Sequence, residues 1–268
     1  MTHCLRTLAL QALTHSDPSQ KCSRVEALWQ GLITGQYSIV ADKHMTPSSA
    51  IPGRPPQPAL VPPGQVKRRA MHTAEGRAAL IHALAHIEFN AINLALDAVW
   101  RFAGMPDDYY RDWLQVAKEE AYHFTLLRAH LQSLGSDYGA FDGHNSLWEM
   151  VEKTQSDVLA RMALVPRTLE ARGLDASPPL KQKLVQAGDH AAASILDIIL
   201  RDEIGHVAIG NRWYHWVCKQ RALDPLSTFE QLCRQFQAPK LKPPFNMEAR
   251  KQAGFSEAEL AYLNGEYL

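Results

Sequence analysis

Four glutamates of this chain each interrupt an otherwise apolar stripe at helical spacing. They are Glu88, Glu120, Glu170 and Glu203. An ionised carboxylate inside a buried stripe is unfavourable unless it is paired or binds a metal ion. One such residue would need no special explanation, whereas four, with one on each predicted helix, require a common partner.

Two of these glutamates are followed three residues later by a histidine. Glu120 precedes His123 in the sequence EAYH, and Glu203 precedes His206 in EIGH. Side chains at positions i and i+3 share one helix face, so both members of a pair can reach the same point. A single Glu-x-x-His sequence is a weak signal because it occurs often by chance, but two of them justify a search for regular spacing.

The spacing of the glutamates shows a helix pair that is repeated once. Glu88 and Glu120 are 32 residues apart, and Glu170 and Glu203 are 33 residues apart. Two antiparallel helix pairs facing each other would place four carboxylates and two imidazoles at one level of a bundle core. This donor set suits two first-row metal ions, iron or manganese, whereas a closed structural zinc site would favour thiolates. The alternative is a coincidental buried ionic network.

Helical periodicity predicts the elements that must position these residues. Glycine and proline stop signals separate four long segments, from about Thr73 to Phe102, Asp107 to Gly135, Asn145 to Gly173, and Pro178 to Leu223. Pro166 lies one turn before Glu170 and lacks a backbone N–H, so we expect a kink or bulge in the third segment. The predicted fold class is all-α, a four-helix bundle with the metal site in its core.

Helical and proline-rich extensions flank the predicted bundle. Residues 46–66 contain seven prolines, which cannot continue a helix and therefore predict an extended linker or a surface strap. The sequence predicts three parts, with an N-terminal part of helices and strap, a central bundle and a C-terminal extension packed on the bundle. Their limits are 1–70, 71–223 and 224–268.

Composition excludes several classes of protein. Lys plus Arg and Asp plus Glu are both 28, so the formal net charge is zero, and nucleic acid is not an expected partner. The only compact basic cluster is Lys67-Arg68-Arg69. Four cysteines without a CxxC pair indicate free thiols in a reducing cytoplasm. The sequence contains no uninterrupted apolar run of the roughly 18 residues that a membrane span needs and no evident secretory signal, so we expect a cytoplasmic protein.

The motifs around these residues resemble those of the ferritin-like di-iron carboxylate superfamily. They are most similar to a bacterial ferritin-like family catalogued as a domain of unknown function (DUF455), over roughly residues 20–255. The segments that carry the resemblance are HIEFNAINLALDAVWRF, DWLQVAKEEAYHF, ARMALVPRTLEARGLD and ILRDEIGHVAIGNRW. The resemblance implies two bound metal ions, Fe/Fe or else Mn/Fe. All six positions implied as metal ligands match, namely Glu88, Glu120, His123, Glu170, Glu203 and His206.

Three neighbouring residues are candidates for supporting roles. Glu119 and Asp202 each precede a ligand glutamate, and each could accept a hydrogen bond from the far N–H of a ligand histidine. Alternatively, they are solvated or paired with Lys118 or Arg201. Tyr122 is a weak catalytic candidate, as a hydrogen-bond donor to a ligand or a radical carrier. The alternative is an aromatic residue of the core or of a groove.

Two classes of function fit these features. The first is a dioxygen-dependent oxidase or oxygenase that acts on a small organic molecule in a pocket covered by the flanking segments. Its reducing equivalents would come from the substrate or from an electron-donor protein. The second class is iron handling, either ferroxidation or peroxide removal, without an organic substrate. A metal-stabilised interaction protein is a third possibility, and the sequence leaves the oligomeric state open.

Overall fold

Helices provide nearly all the regular structure of the computed structural model, which describes residues 3–67 and 69–265. The predicted all-α class is confirmed. The only strands in these ranges, His3–Cys4 and Tyr37–Ser38, have two residues each and pair in parallel. Arg68, in the basic cluster, lies outside the described residues. The chain divides into two compact units, residues 1–148 and 149–268. The limits expected at residues 70 and 223 stay a prediction.

The described residues of the first unit form four complete helices, a short 3-10 turn and the proline-rich segment. The helices are α1 (Leu5–Leu13), α2 (Pro18–Ile33), α3 (Ala74–Arg101) and α4 (Asp107–Ser133), and the turn is Pro63–Gln65. The Asp17 carboxylate caps α2 by accepting a hydrogen bond from the backbone N–H of Gln20 at 2.8 Å. Gly104 has φ 77° in the connection from α3 to α4, a conformation that favours glycine.

Helix α3 is the core of the first unit. Every residue from 88 to 100 is buried, as expected for a helix that is apolar on most sides. The carbonyl groups at its C-terminal end are satisfied by a distant arginine. Arg6 is fully buried and donates from Nε to the Val99 oxygen at 3.3 Å and from Nη2 to the Trp100 oxygen at 2.7 Å. This guanidinium therefore fixes the end of α3 against α1.

The second unit is built around one long helix. Helix α5 (Ser146–Lys153) crosses the boundary between the units. It is followed by α6 (Val158–Leu164), a π-helical segment (Val165–Glu170), α7 (Ala171–Gln186), α8 (His190–Gln220), α9 (Pro225–Gln235), α10 (Met247–Gln252) and α11 (Glu257–Leu263). Apolar residues of α10 and α11 pack with those of α7 and α8. The C-terminal helices are therefore part of this unit's core.

The predicted limits of the third and fourth segments are wrong. Gly173 does not end the third segment, and Pro178-Pro179 do not begin the fourth but lie inside α7. Pro178 leaves the Leu174 carbonyl without its usual helical donor, and the Asn246 side-chain amide donates to this oxygen at 3.2 Å. The fourth long helix begins instead at His190. The Asp189 carboxylate caps it by accepting from the backbone N–H of Ala192 at 3.0 Å.

One helix among the described residues, α3, is long and apolar enough to cross a membrane by length and composition alone. Its most apolar window has a mean hydropathy of 1.3, and 72% of that window is buried inside the protein. Core helices of soluble proteins have the same properties. The burial of α3 is therefore compatible with a soluble protein.

Candidate metal centre

Three of the six predicted ligands meet in the first unit. Glu88 comes from α3, and Glu120 and His123 come from one face of α4. His123 Nδ1 lies 3.3 Å from Glu88 Oε2 and 3.4 Å from Glu120 Oε2. One ligand atom of each residue lies within 4.8 Å of those of the others. The predicted sharing of one point by Glu120 and His123 is confirmed for this unit.

Burial and charge favour a cation at this group of three residues. Burial raises the pKa of the Glu88 carboxyl well above its ordinary value, and the nearby Glu120 charge raises it further. Burial by itself lowers the pKa of His123, but hydrogen bonds and charges from Glu120 and Glu88 outweigh it and raise this pKa to about 11. Without a cation, Glu88 and His123 therefore hold their protons more strongly than the free side chains do. A divalent ion would replace those protons as the source of positive charge.

The remaining three predicted ligands lie in the second unit. Glu203 and His206 occupy one face of α8, and His206 Nδ1 is 3.8 Å from Glu203 Oε1. Both are buried, with 8% and 1% of their surfaces exposed. Glu170 is the last residue of the π-helical segment. Each unit thus supplies two glutamates and one histidine from the predicted set.

The bulge expected at Pro166 is confirmed as the π-helical segment Val165–Glu170. The Thr168 hydroxyl donates to the Ala163 carbonyl at 2.8 Å, five residues back, which helps to satisfy the widened turn. Helix α8 fits against the bulge because residue 210 is a glycine. A Cβ at Gly210 would lie 2.6 Å from Pro166 Cβ.

The supporting residues have local partners of their own. Glu119 accepts from the Gln115 side chain at 3.0 Å, and Asp202 accepts from Arg201 at 2.8 and 3.0 Å. The ion pair between Asp202 and Arg201 is the alternative that the sequence left open. The role of Glu119 and Asp202 beside the ligand histidines stays a prediction.

Tyr122 faces a groove. Its side chain is 49% exposed and lines a shallow depression beside Cys22 and Lys118. Its ring centroid is 6.4 Å from that of His123. This placement agrees with the groove-residue alternative more than with contact to a bound metal ion.

The donor set of the first unit fits a metal ion. It combines two carboxylates and one imidazole, all buried, on two helices whose backbones are held by regular hydrogen bonds. Oxygen ligands with one imidazole suit iron or manganese. None of the four cysteines belongs to this group. Sequence reasoning missed none of the residues that the structure gathers here.

Comparison with known proteins assigns the chain to a family. A family described as "Protein of unknown function (DUF455)" matches residues 14–261, so the chain belongs to this family. A Haemophilus influenzae protein described as "Uncharacterized protein" is 47% identical over 261 residues, which cover 94% of this chain and 91% of that protein. No solved structure matches the chain. The predicted family membership is confirmed, and the family description supplies no substrate.

Proposed function

We propose that this protein is a ferritin-like, cytoplasmic di-metal oxidoreductase. It binds two iron ions, or one manganese and one iron ion, and uses dioxygen to oxidise a small organic substrate. The proposed ligands are Glu88, Glu120, His123, Glu170, Glu203 and His206. The observation that carries this proposal is the buried group of Glu88, Glu120 and His123, in which two neighbouring carboxyl groups favour a cation between them.

The second unit supports the proposal because it contains the same types of candidate ligand at the same spacing. Glu203 and His206 repeat on α8 the arrangement of Glu120 and His123 on α4, and both pairs are buried. Glu170 occupies the sequence position that corresponds to Glu88 in the repeat. A structural ion pair in one unit would not require the same donors at the same spacing in the other. Six donors suit two metal ions better than one.

Bound redox metals would supply the electrons and the Lewis acidity that dioxygen chemistry requires. The protein's own groups would hold them and exclude water. To hold a metal ion, His123 would have to give up its extra proton, because only the neutral imidazole is a ligand. Glu88 and His123 are 4% and 0% exposed, so the fold already keeps solvent away from them.

Electrons must reach the metal ions from outside the chain or from the substrate. The four cysteines are free thiols, and none lies with the candidate ligands. A partner electron-donor protein or the organic substrate would therefore supply the reducing equivalents. The balanced charge of the chain gives no support for nucleic acid as the substrate.

Metal analysis of protein purified from its own host tests the first step. We expect two equivalents of iron or manganese per chain, and fewer in Glu120→Gln and Glu203→Gln. If both units serve the same metal pair, either substitution reduces both equivalents. Glu26→Gln, at an exposed position on α2, is the matched control. Absence of metal in the wild type would refute the proposal.

Rapid mixing of the reduced, iron-loaded protein with dioxygen tests the second step. We expect a transient visible absorption that Glu120→Gln lacks while its circular dichroism stays helical. If the protein instead deposits many iron ions per chain as ferric mineral and shows no transient signal, its function would be iron handling and not oxygenation. Metal binding without any reaction with dioxygen would favour a metal-stabilised interaction protein.

A further inference from the structure

A cavity of about 530 Å³ lies in the second unit. Its walls come from α9, from residues 237–241, which follow α9, and from the end of α11. Sites for small organic ligands usually have volumes of about 300–1,000 Å³. None of the described residues that line the cavity is a candidate metal ligand, so the cavity is a separate feature of this unit.

Two aromatic rings line the cavity at right angles to each other. The rings of Phe229 and Tyr262 have centroids 6.5 Å apart and an interplanar angle of 88°. Phe229 is 7% exposed, and the Arg167 guanidinium lies 5.0 Å from its ring centroid, so packing fixes the ring in place. Leu241 and Leu263 extend the apolar lining. The interior of the cavity therefore suits an apolar group.

Two other side chains of the lining are polar but carry no charge. Burial raises the pKa of the Cys233 thiol to about 11, so this thiol stays protonated at neutral pH. The Thr168 hydroxyl already donates its hydrogen bond to the Ala163 carbonyl at 2.8 Å. Neither group offers a charge to a ligand.

Backbone contacts hold the segment that follows α9. Gln237 has φ 52°, in the left-handed region, and the Ala238 N–H donates to the Cys233 carbonyl at 2.9 Å, which ends α9 in a defined turn. Farther along, the Arg172 side chain on α7 donates to the Lys242 carbonyl at 2.8 Å. The fold itself therefore holds this wall of the cavity.

The charged residues of the lining are two cations and one carboxylate. Glu230 and Arg234 lie one turn apart on α9 and form an ion pair at 3.1 Å, so their charges offset each other. Lys240 is exposed, and it forms no ion pair with a carboxylate in the part of the chain that the structure describes. The lining therefore has an excess of one positive charge, which favours an anionic group at the opening.

We infer that this cavity binds a monocarboxylate whose alkyl chain gives it about ten carbon atoms in total. The chain lies against Phe229, Tyr262 and Leu263, and the carboxylate faces Lys240 at the opening. With the liquid volume of a water molecule, about 30 Å³, for each heavy atom, about ten carbons and two oxygens occupy about 360 Å³. This volume fits within the 530 Å³ of the cavity. The inference does not depend on the proposed metal chemistry.

Isothermal titration calorimetry of the full chain tests the inference. The probes are decanoate, octanoate and the uncharged decanol, all below the concentrations at which they form micelles. We expect one decanoate to bind per chain and decanol to bind more weakly. Octanoate should bind about fifteenfold more weakly than decanoate, because each buried CH₂ group contributes about a fourfold factor in affinity.

Replacement of Lys240 tests the position of the carboxylate. Lys240→Gln should weaken decanoate binding about threefold, as expected for an exposed charge pair, and should leave decanol binding unchanged. Lys242→Gln is the matched control, at an exposed lysine outside the lining, and should bind decanoate like the wild type. Both positions are exposed, so neither substitution removes a buried contact. Unchanged decanoate binding in Lys240→Gln would overturn the assignment of a carboxylate beside this lysine.

A second variant tests the cavity itself. Ala238→Trp leaves every charge in place and fills the cavity, so it should abolish the binding of decanoate and decanol while the melting temperature stays near that of the wild type. Absence of saturable decanoate binding in the wild type would overturn the inference, as would unchanged binding in Ala238→Trp. Decanol binding as tight as that of decanoate would overturn the preference for an anion.

Discussion

His123 Nδ1 lies 3.3 Å from Glu88 Oε2, and the two side chains are 0% and 5% exposed. This contact joins α4 to α3 inside the core of the first unit, where an ionised carboxylate would otherwise be strongly unfavourable. Glu120 adds a second carboxylate 3.4 Å from the same nitrogen. The arrangement leaves a deficit of positive charge that protons or a metal ion must supply. Binding of a metal ion at this group would therefore be coupled to the stability of the protein.

Ferrous or manganous ions should raise the melting temperature. Binding to the folded state alone, at 100 times the dissociation constant, stabilises by about 2.7 kcal/mol per site. For a chain of this size, that corresponds to a shift of about 5–10 °C. Differential scanning calorimetry with and without metal measures it, and Glu120→Gln should lose most of the shift. Melting curves that coincide with and without metal would contradict metal binding.

The stability of the first unit should increase as the pH rises above neutral. Burial, helped by the Arg54 charge, lowers the pKa of Lys21 from 10.5 to about 7. Between these values the unfolded chain binds a proton that the folded chain does not, so raising the pH stabilises the fold. The slope is at most about 1.4 kcal/mol per pH unit. Urea titrations from neutral pH to about pH 10 measure it.

Lys21→Met is the variant that isolates this slope. It should flatten the dependence on pH and also lower stability, because Nζ donates to the carbonyls of Leu13 and Gly53 and to the Asn93 side chain. Lys118→Met, on α4, is the control and should retain the slope of the wild type. A slope that survives in Lys21→Met would show that another group titrates.

Glu259→Gln should destabilise the second unit by about 3 kcal/mol, because it leaves a buried arginine without its carboxylate. Arg167 is 2% exposed, pairs with Glu259, and has its guanidinium 4.7 Å from the centroid of the Tyr214 ring. The double variant Arg167→Met/Glu259→Gln should recover part of the loss. Chemical denaturation of the single and double variants measures the coupling, and additive losses would contradict it.

Acid should weaken the same ion pair. Burial by itself raises the pKa of Glu259, but hydrogen bonds from His215 and Ser256 and the Arg167 charge outweigh it and lower this pKa to about 2. The stabilisation is complete above the ordinary carboxyl pKa of 4.5 and is lost as the pH falls towards 2. Glu259→Gln should be less sensitive to pH over this range. Equal acid sensitivity of both proteins would exclude Glu259 as its source.

Gly210→Ala should disturb the π-helical segment that ends at Glu170. The added methyl group would lie 2.6 Å from Pro166 Cβ, and overpacking of this kind costs about 1–3 kcal/mol. Gly205→Ala, on the same helix, is the matched control because nothing lies within 4 Å of its added carbon. Alanine there should stabilise α8 by up to about 1 kcal/mol. Thermal denaturation of both variants measures this difference in stability. Equal melting temperatures would contradict the contact between residue 210 and Pro166.

Local periodicity was enough to predict the all-α class, helices α3 and α4, and the shared face of Glu120 and His123. These features depend on residues three or four positions apart, which the order of the chain specifies directly. A kink or bulge near Pro166 was also predictable, because the missing N–H of Pro166 disrupts the helix at that point whatever surrounds it.

Contacts between distant parts of the chain decided the rest. Pro178 is tolerated inside α7 because the Asn246 side chain donates a hydrogen bond to the Leu174 carbonyl. No local sequence pattern predicts that donor. In the same way, the proline-rich segment is held in place because Val61 pairs with Gly143, although the two residues are far apart in the chain. A sequence specifies which polar groups need hydrogen-bond partners. Only the folded chain determines which distant group becomes the partner, since each such contact depends on the packing of all the others.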